Sequence, residues 1–210
     1  MINILHLFTI KNIAARAYST LALGIFITVF GFLTACTEKK PEFKGIDITG
    51  ADYAQNFKLE DQFGKTRTMA DFKGKAVVVF FGFTQCPDAC PTSMAELAEV
   101  KKLLGKDGDK LQGIFVSLDP ERDTAPVLKA YMENFDPTFI ALRGSLDQTA
   151  EVAKHFKIFY KKVEGRTASS YTLDHSAGSY VFDTQGQIRL YNRYGSGAQA
   201  LAEDVALLLK

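Results

Sequence analysis

From Ala76 to Phe81 the chain is continuously apolar, the pattern expected of a strand covered on both faces, and Leu111–Leu118 reads as a second buried strand. Between them Met94, Leu97, Ala98, Val100 and Leu104 recur at helical spacing, which predicts a helix over Met94–Leu104. A helix is expected over Ala125–Phe135 with Pro126 in its first turn, then a short strand over Phe139–Leu142 and a helix over Asp147–Phe156. Ser179–Asp183 and Ile188–Tyr191 flank a turn at Gln185-Gly186 and predict a hairpin, and Gln199–Leu209 closes the chain as a helix. Two short runs around Asp61-Gln62-Phe63-Gly64 predict a further, N-terminal β-hairpin. This order implies an α/β fold with a central mixed sheet flanked by helices. A right-handed crossover sets the ends of the first two strands side by side, and ligand sites in such sheets lie beyond the carboxyl ends.

The N-terminal stretch carries a different pattern. Residues 1–35 hold no acid and two cations, Lys11 and Arg16, ahead of the apolar run Leu21–Leu33. A basic start, an apolar run and small residues after it read as a secretory signal. The segment ends Leu33-Thr34-Ala35-Cys36, which resembles a bacterial lipobox and makes Cys36 the expected lipidation site. The uncharged stretch Ala17–Ala35 is alternatively a membrane-spanning anchor. Either way residues 1–35 are read as signal, 36–45 as a tether and 46–210 as the domain. That domain faces the periplasm from the bacterial cell envelope, held to a membrane.

Composition narrows the classes. A chain of 210 residues, 47% hydrophobic, suits one domain with a substantial core. Its 25 cations against 24 acids supply no basic footprint for nucleic acid. Removing residues 1–35 leaves 23 cations against 24 acids, a net charge of −1. Three cysteines are too few for a disulfide-built miniprotein. With Cys36 assigned to lipid, Cys86 and Cys90 remain.

Those two lie in Gly82-Phe83-Thr84-Gln85-Cys86-Pro87-Asp88-Ala89-Cys90-Pro91, between buried strand and helix. At this separation two sulfurs come within disulfide reach, or share one metal, if the loop leads into a first helical turn. Helix N-terminal amides then favour thiolate over thiol. A purely structural bridge would close too short a loop to add much stability. Thioredoxin-like oxidoreductases use a two-residue spacer rather than the three found here. Of the histidines, His6 leaves with the signal and His155 reads as an exposed or half-buried helix residue. His175, in Leu173-Asp174-His175-Ser176, is expected at the start of a hairpin able to pack beside the first strand. Asp174 is either a group supporting the site or ordinary turn chemistry. The charges of Asp119–Thr124 are expected to cap a helix in solvent, with a partner-docking surface as the alternative.

GFTQCPDACP, LDPERDT (Leu118–Thr124) and LDHSAGSYVFD (Leu173–Asp183) resemble the three signature segments of the Sco/SenC family, in the right order. The resemblance covers roughly Ile46–Leu209. It implies a thioredoxin-like fold with an N-terminal β-hairpin extension, and a membrane-tethered copper protein that helps assemble the Cu-A centre of cytochrome c oxidase. Cys86, Cys90 and His175 match the family's copper-binding residues. A periplasmic copper donor and the oxidase subunit carrying Cu-A are the implied partners. A lipobox in place of the usual transmembrane anchor is a departure known among bacterial versions. Two thiolates and an imidazole suit Cu(I), and imidazole helps accommodate Cu(II), although zinc accepts the same donors.

Two other functions use the same pair. A thiol-disulfide oxidoreductase would cycle Cys86 and Cys90 to keep the oxidase's copper-ligand cysteines reduced. A peroxiredoxin-like peroxidase would need Thr three residues before the cysteine, whereas Thr84 stands two before Cys86, and no assisting Arg is assignable. No proline occurs after Pro137, so the proline that faces the cysteines in ordinary thioredoxins is lacking and Asp174-His175 stands in its place.

Overall fold

The structure, a computed structural model, describes residues 42–166 and 170–210. The expected signal, the lipidation site Cys36 and His6 lie outside the described residues, as does the tether through residue 41. Residues Glu42–Lys210 form one compact unit. Among the described residues no helix is long and apolar enough to cross a membrane.

The elements run β1 (Ile46–Asp47), β2 (Leu59–Asp61), β3 (Thr66–Arg67), β4 (Ala76–Gly82) and α1 (Ala89–Leu103). Then come β5 (Leu111–Ser117), α2 (Ala125–Glu133), β6 (Ile140–Arg143), α3 (Leu146–His155) and β7 (Tyr160–Val163). The chain ends with β8 (Thr172–His175), β9 (Ser179–Phe182), β10 (Ile188–Asn192) and α4 (Ala198–Leu208). Eight strands make one mixed sheet in the order β1-β10-β9-β4-β5-β6-β2-β3, and β7-β8 form a separate pair. β4, β5 and β6 are parallel, while β9 runs antiparallel to β4. This is the thioredoxin-like order expected above.

Every residue of β4 and β5 is buried, because the sheet is covered by helices at its centre. Phe80, Phe81, Phe115, Phe139, Phe156 and Phe182, all under 2% exposed, fill the core of a chain that has no Trp. The register Ala76↔Leu111 through Gly82↔Ser117 ends both central strands on one rim. From that rim leave the cysteine loop and the Asp119–Thr124 segment.

Two expectations change and two gain detail. α1 starts at Ala89 rather than Met94, because Pro91 is tolerated in a first turn where apolar periodicity gives no signal. The expected N-terminal β-hairpin is β2-β3, and the pairing of β2 with β6 extends the main sheet through it. β1 pairs with β10, and just before it the Lys44 and Gly45 N–H groups donate to the buried Asp204 carboxylate at 2.7 and 2.8 Å. Finally, His175 does not open the β9-β10 hairpin but ends β8, opposite Tyr160 of β7.

Candidate metal centre

β4 ends at Gly82, the chain turns through Phe83–Cys86 with a Cys86 N–H to Phe83 O bond of 3.2 Å, and α1 then rises with Cys90 in its first turn. A Cβ on Gly82 would sit 2.7 Å from Cys90 Sγ, so only glycine lets the helix-borne sulfur seat against the strand end. Cys90 is fully buried and Cys86 half-buried; both are free thiols. The Cys90 N–H donates to Cys86 Sγ at 3.5 Å.

His175 comes from the other side. Its Nε2 lies 3.5 Å from Cys90 Sγ, and its Nδ1 lies 2.9 Å from Ser176 O. The carbonyl can only accept, so Nδ1 carries the proton and Nε2 presents its lone pair to the sulfurs. Phe80 and Phe83 stand edge-on to the imidazole, with ring centroids 6.2 and 5.9 Å away. They wall the site with apolar surface. The donor atoms of Cys86, Cys90 and His175 all lie within 4.8 Å of one another. Bonds of roughly 2.0–2.3 Å to one ion place trigonal donors about 3.5–4 Å apart, so the cluster fits a single ion after a small contraction.

Burial pushes the Cys90 thiol well above its ordinary value; the Phe83 backbone N–H opposes the shift, and Cys86 and Asp123 add to it. For Cys90 this runs against the expected preference for thiolate. Desolvation disfavours the Cys90 thiolate, so an arriving cation must displace the Cys90 proton.

The Asp119–Thr124 charges are also not where the sequence suggested. Asp119 and Asp123 are 4% and 0% exposed. Asp123 accepts hydrogen bonds from Ser117 Oγ at 2.6 Å, from Thr84 Oγ1 at 2.5 Å and from the Thr84 N–H at 3.2 Å. Burial raises its carboxyl, against these hydrogen bonds. The Asp119 carboxylate accepts from Tyr171 OH at 2.7 Å and from Arg122 Nε. Partners supplied by β5, the cysteine loop and the start of β8 make the burial affordable. Sequence reasoning named this segment but took its charges as solvated, and it missed Tyr171 altogether; a tyrosine in a polar loop carries no signal of its own.

The remaining candidates stay outside the cluster. Asp174 is exposed on β8 as the register partner of Lys161. His155 ends α3 and accepts the Gln55 N–H at 3.2 Å. The Thr84 hydroxyl donates to Asp123, so it is not offered to a substrate at Cys86 as a peroxidatic threonine would be.

A thioredoxin-like sheet with two cysteines and a histidine converging at its carboxyl rim defines a domain built around a candidate metal centre. The sequence pattern of the SCO1/SenC family matches residues 47–210, and the chain belongs to that family. It is 40% identical over 133 residues to an SCO2-like protein of Rickettsia felis, a match covering 63% of this chain and 65% of that one. The chain thus spans a little under two thirds of that relative's length. Among solved structures it is similar to ScoI of Bradyrhizobium japonicum with copper bound, at 39% identity and a TM-score of 0.67, covering 73% of this chain and 97% of that chain. It is also similar to the apo Sco1 protein of Thermus thermophilus, at 33% identity and a TM-score of 0.71, covering 81% of this chain and 99% of that chain.

Proposed function

We propose that the protein is a membrane-tethered copper metallochaperone. It would bind one copper ion through Cys86, Cys90 and His175 and pass it to the Cu-A-bearing subunit of cytochrome c oxidase. The observation that carries this is the convergence of two sulfurs and an imidazole whose Nδ1 is held by Ser176 O. Soft sulfur donors in low coordination retain Cu(I), and the imidazole extends the site to Cu(II). The copper-bound Bradyrhizobium relative supports the reading. On loading, the Cys86 and Cys90 protons would leave to solvent; on delivery, copper would pass to the recipient's ligands and both thiols would take protons back. The lipid anchor at Cys36 and the periplasm-facing site in the cell envelope rest on the sequence of residues 1–36. A copper donor in the same compartment completes the route.

A second reading is favoured by the unequal exposure of the two thiols. Half-buried Cys86 is placed to attack a target disulfide, with Cys90 behind it to resolve the mixed disulfide. The pair would give two electrons and two protons to the oxidase's oxidised cysteines and itself become a disulfide. Copper loading and this oxidation exclude each other, so one site can serve both roles in turn.

Titrating the reduced protein with Cu(II) tests the proposal. One equivalent should produce a thiolate-to-copper absorption band, and a Cu-A apo-subunit should then withdraw the metal. Absence of the band together with rapid peroxide turnover would overturn it.

A further inference from the structure

We propose that Arg122 is a positioning residue that sets where His175 stands against the cysteine pair. The inference rests on the reading that these three side chains hold copper. The β7-β8 pair bearing His175 is not hydrogen-bonded into the main sheet, and residues 176–178 separate the histidine from β9, whose Ser179 pairs with Phe80 of β4. Arg122 bridges the two parts. Its Nη1 donates to Gln85 Oε1 at 3.1 Å, on the residue before Cys86, and to the Tyr171 carbonyl at 2.9 Å, four residues before His175. Its Nε donates to Asp119, just beyond the end of β5, and its guanidinium lies 3.6 Å from the centre of the Tyr171 ring. The Tyr171 hydroxyl closes the circuit by donating to Asp119 at 2.7 Å.

One planar cation therefore touches the cysteine loop, the segment just beyond β5 and the residue that leads into β8. A guanidinium suits this because it donates in several fixed directions and stacks on an aromatic face at once, which an ammonium does not. Among the described residues its buried Nη2 has no acceptor, an arrangement that costs stability and that an ion pair serving stability alone would not need. Removing the side chain would leave Asp119 buried without its cation and release the start of β8. His175 would keep its Ser176 contact, which travels with the hairpin, but lose its registration with the sulfurs.

The test is a double-mutant cycle on the full chain in detergent, with thiols reduced. Cu(II) affinity is measured by chelator competition, together with the thiolate-to-copper band and the electron paramagnetic resonance hyperfine splitting. Arg122→Ala should weaken copper binding about ten- to a hundred-fold and alter both spectra. Arg122→Lys should restore only part of the loss. In a His175→Ala background the Arg122→Ala change should add less than about two-fold, since its effect acts through the histidine. If Arg122→Ala does not fold, Tyr171→Phe, which removes only the hydroxyl bond to Asp119, is put through the same cycle with the same criteria. Unchanged affinity and spectra, or an undiminished loss in the His175→Ala background, overturn the proposal. A parent protein that takes up no copper overturns the copper reading itself, and this inference with it.

Discussion

Gly82→Ala places one methyl group where three buried groups already meet. Its carbon would lie 2.7 Å from Cys90 Sγ, 2.9 Å from Phe80 Cε1 and 3.0 Å from Phe115 Cε2. Restoring an ordinary contact of 3.4 Å to the sulfur alone needs a shift of about 0.7 Å. Neither phenylalanine can yield freely, since Phe80 and Phe115 are 1% and 0% exposed. Overpacking of this kind costs about 1–3 kcal/mol, and three simultaneous short contacts put the expectation near ~3 kcal/mol. For a domain of this size that lowers the melting temperature by roughly 6–12 °C. The sulfur shift also exceeds the roughly 0.5 Å within which a binding constellation must be held, so copper affinity should fall with stability. Thermal melting followed by circular dichroism, with copper titration below the transition, measures both. A variant that melts within about 2 °C of the parent and binds copper unchanged would refute the claim that the strand end holds Cys90 in place.

His175→Ala should reduce copper affinity sharply while Cys86 and Cys90 still titrate as two thiols with a disulfide reagent; loss of thiol reactivity would mean the histidine holds the loop rather than the metal. Because burial raises Cys90 and copper takes its thiolate, apparent affinity should fall about tenfold per unit as pH drops through neutrality, for each proton released. The same shift makes metal-free stability greatest below the ordinary thiol value of about 8.5; it should decline above that pH, where the unfolded chain ionises and the folded one does not, and urea melts at two pH values would show it. Asp61 is buried, and its burial is outweighed by hydrogen bonds from Arg67 and from the Lys65 and Phe63 N–H groups, which hold its carboxyl below the usual range. Its contribution is complete above about pH 4 and is lost as pH falls through its lowered value, so Asp61→Asn should flatten the acid limb of the stability curve; an unchanged limb would contradict this.

The buried strands were legible because a contiguous apolar run reports burial by itself: Ala76–Phe81 became β4 with one residue more, and the run at Leu111 became β5. Cys86 and Cys90 were legible for a similar reason, their spacing being local and their loop lying between strand and helix. β7 was not, because Tyr160-Lys161-Lys162-Val163 is largely exposed and is a strand only through its pairing with β8. The first turn of α1 was hidden because helical periodicity shows only where a face is apolar. Asp119 and Asp123 read as solvated because their local partners, Arg122 and Ser117 at three and six residues, do not by themselves imply burial. They are buried because Tyr171 and Thr84, 52 and 39 residues away, satisfy them. His175 likewise meets Cys90 across a separation of 85 residues. Hydrophobic periodicity belongs to neighbouring residues and survives in the bare chain. The burial of a charge and the meeting of a ligand with its partners depend on distant groups, and exist once folding has brought those groups together.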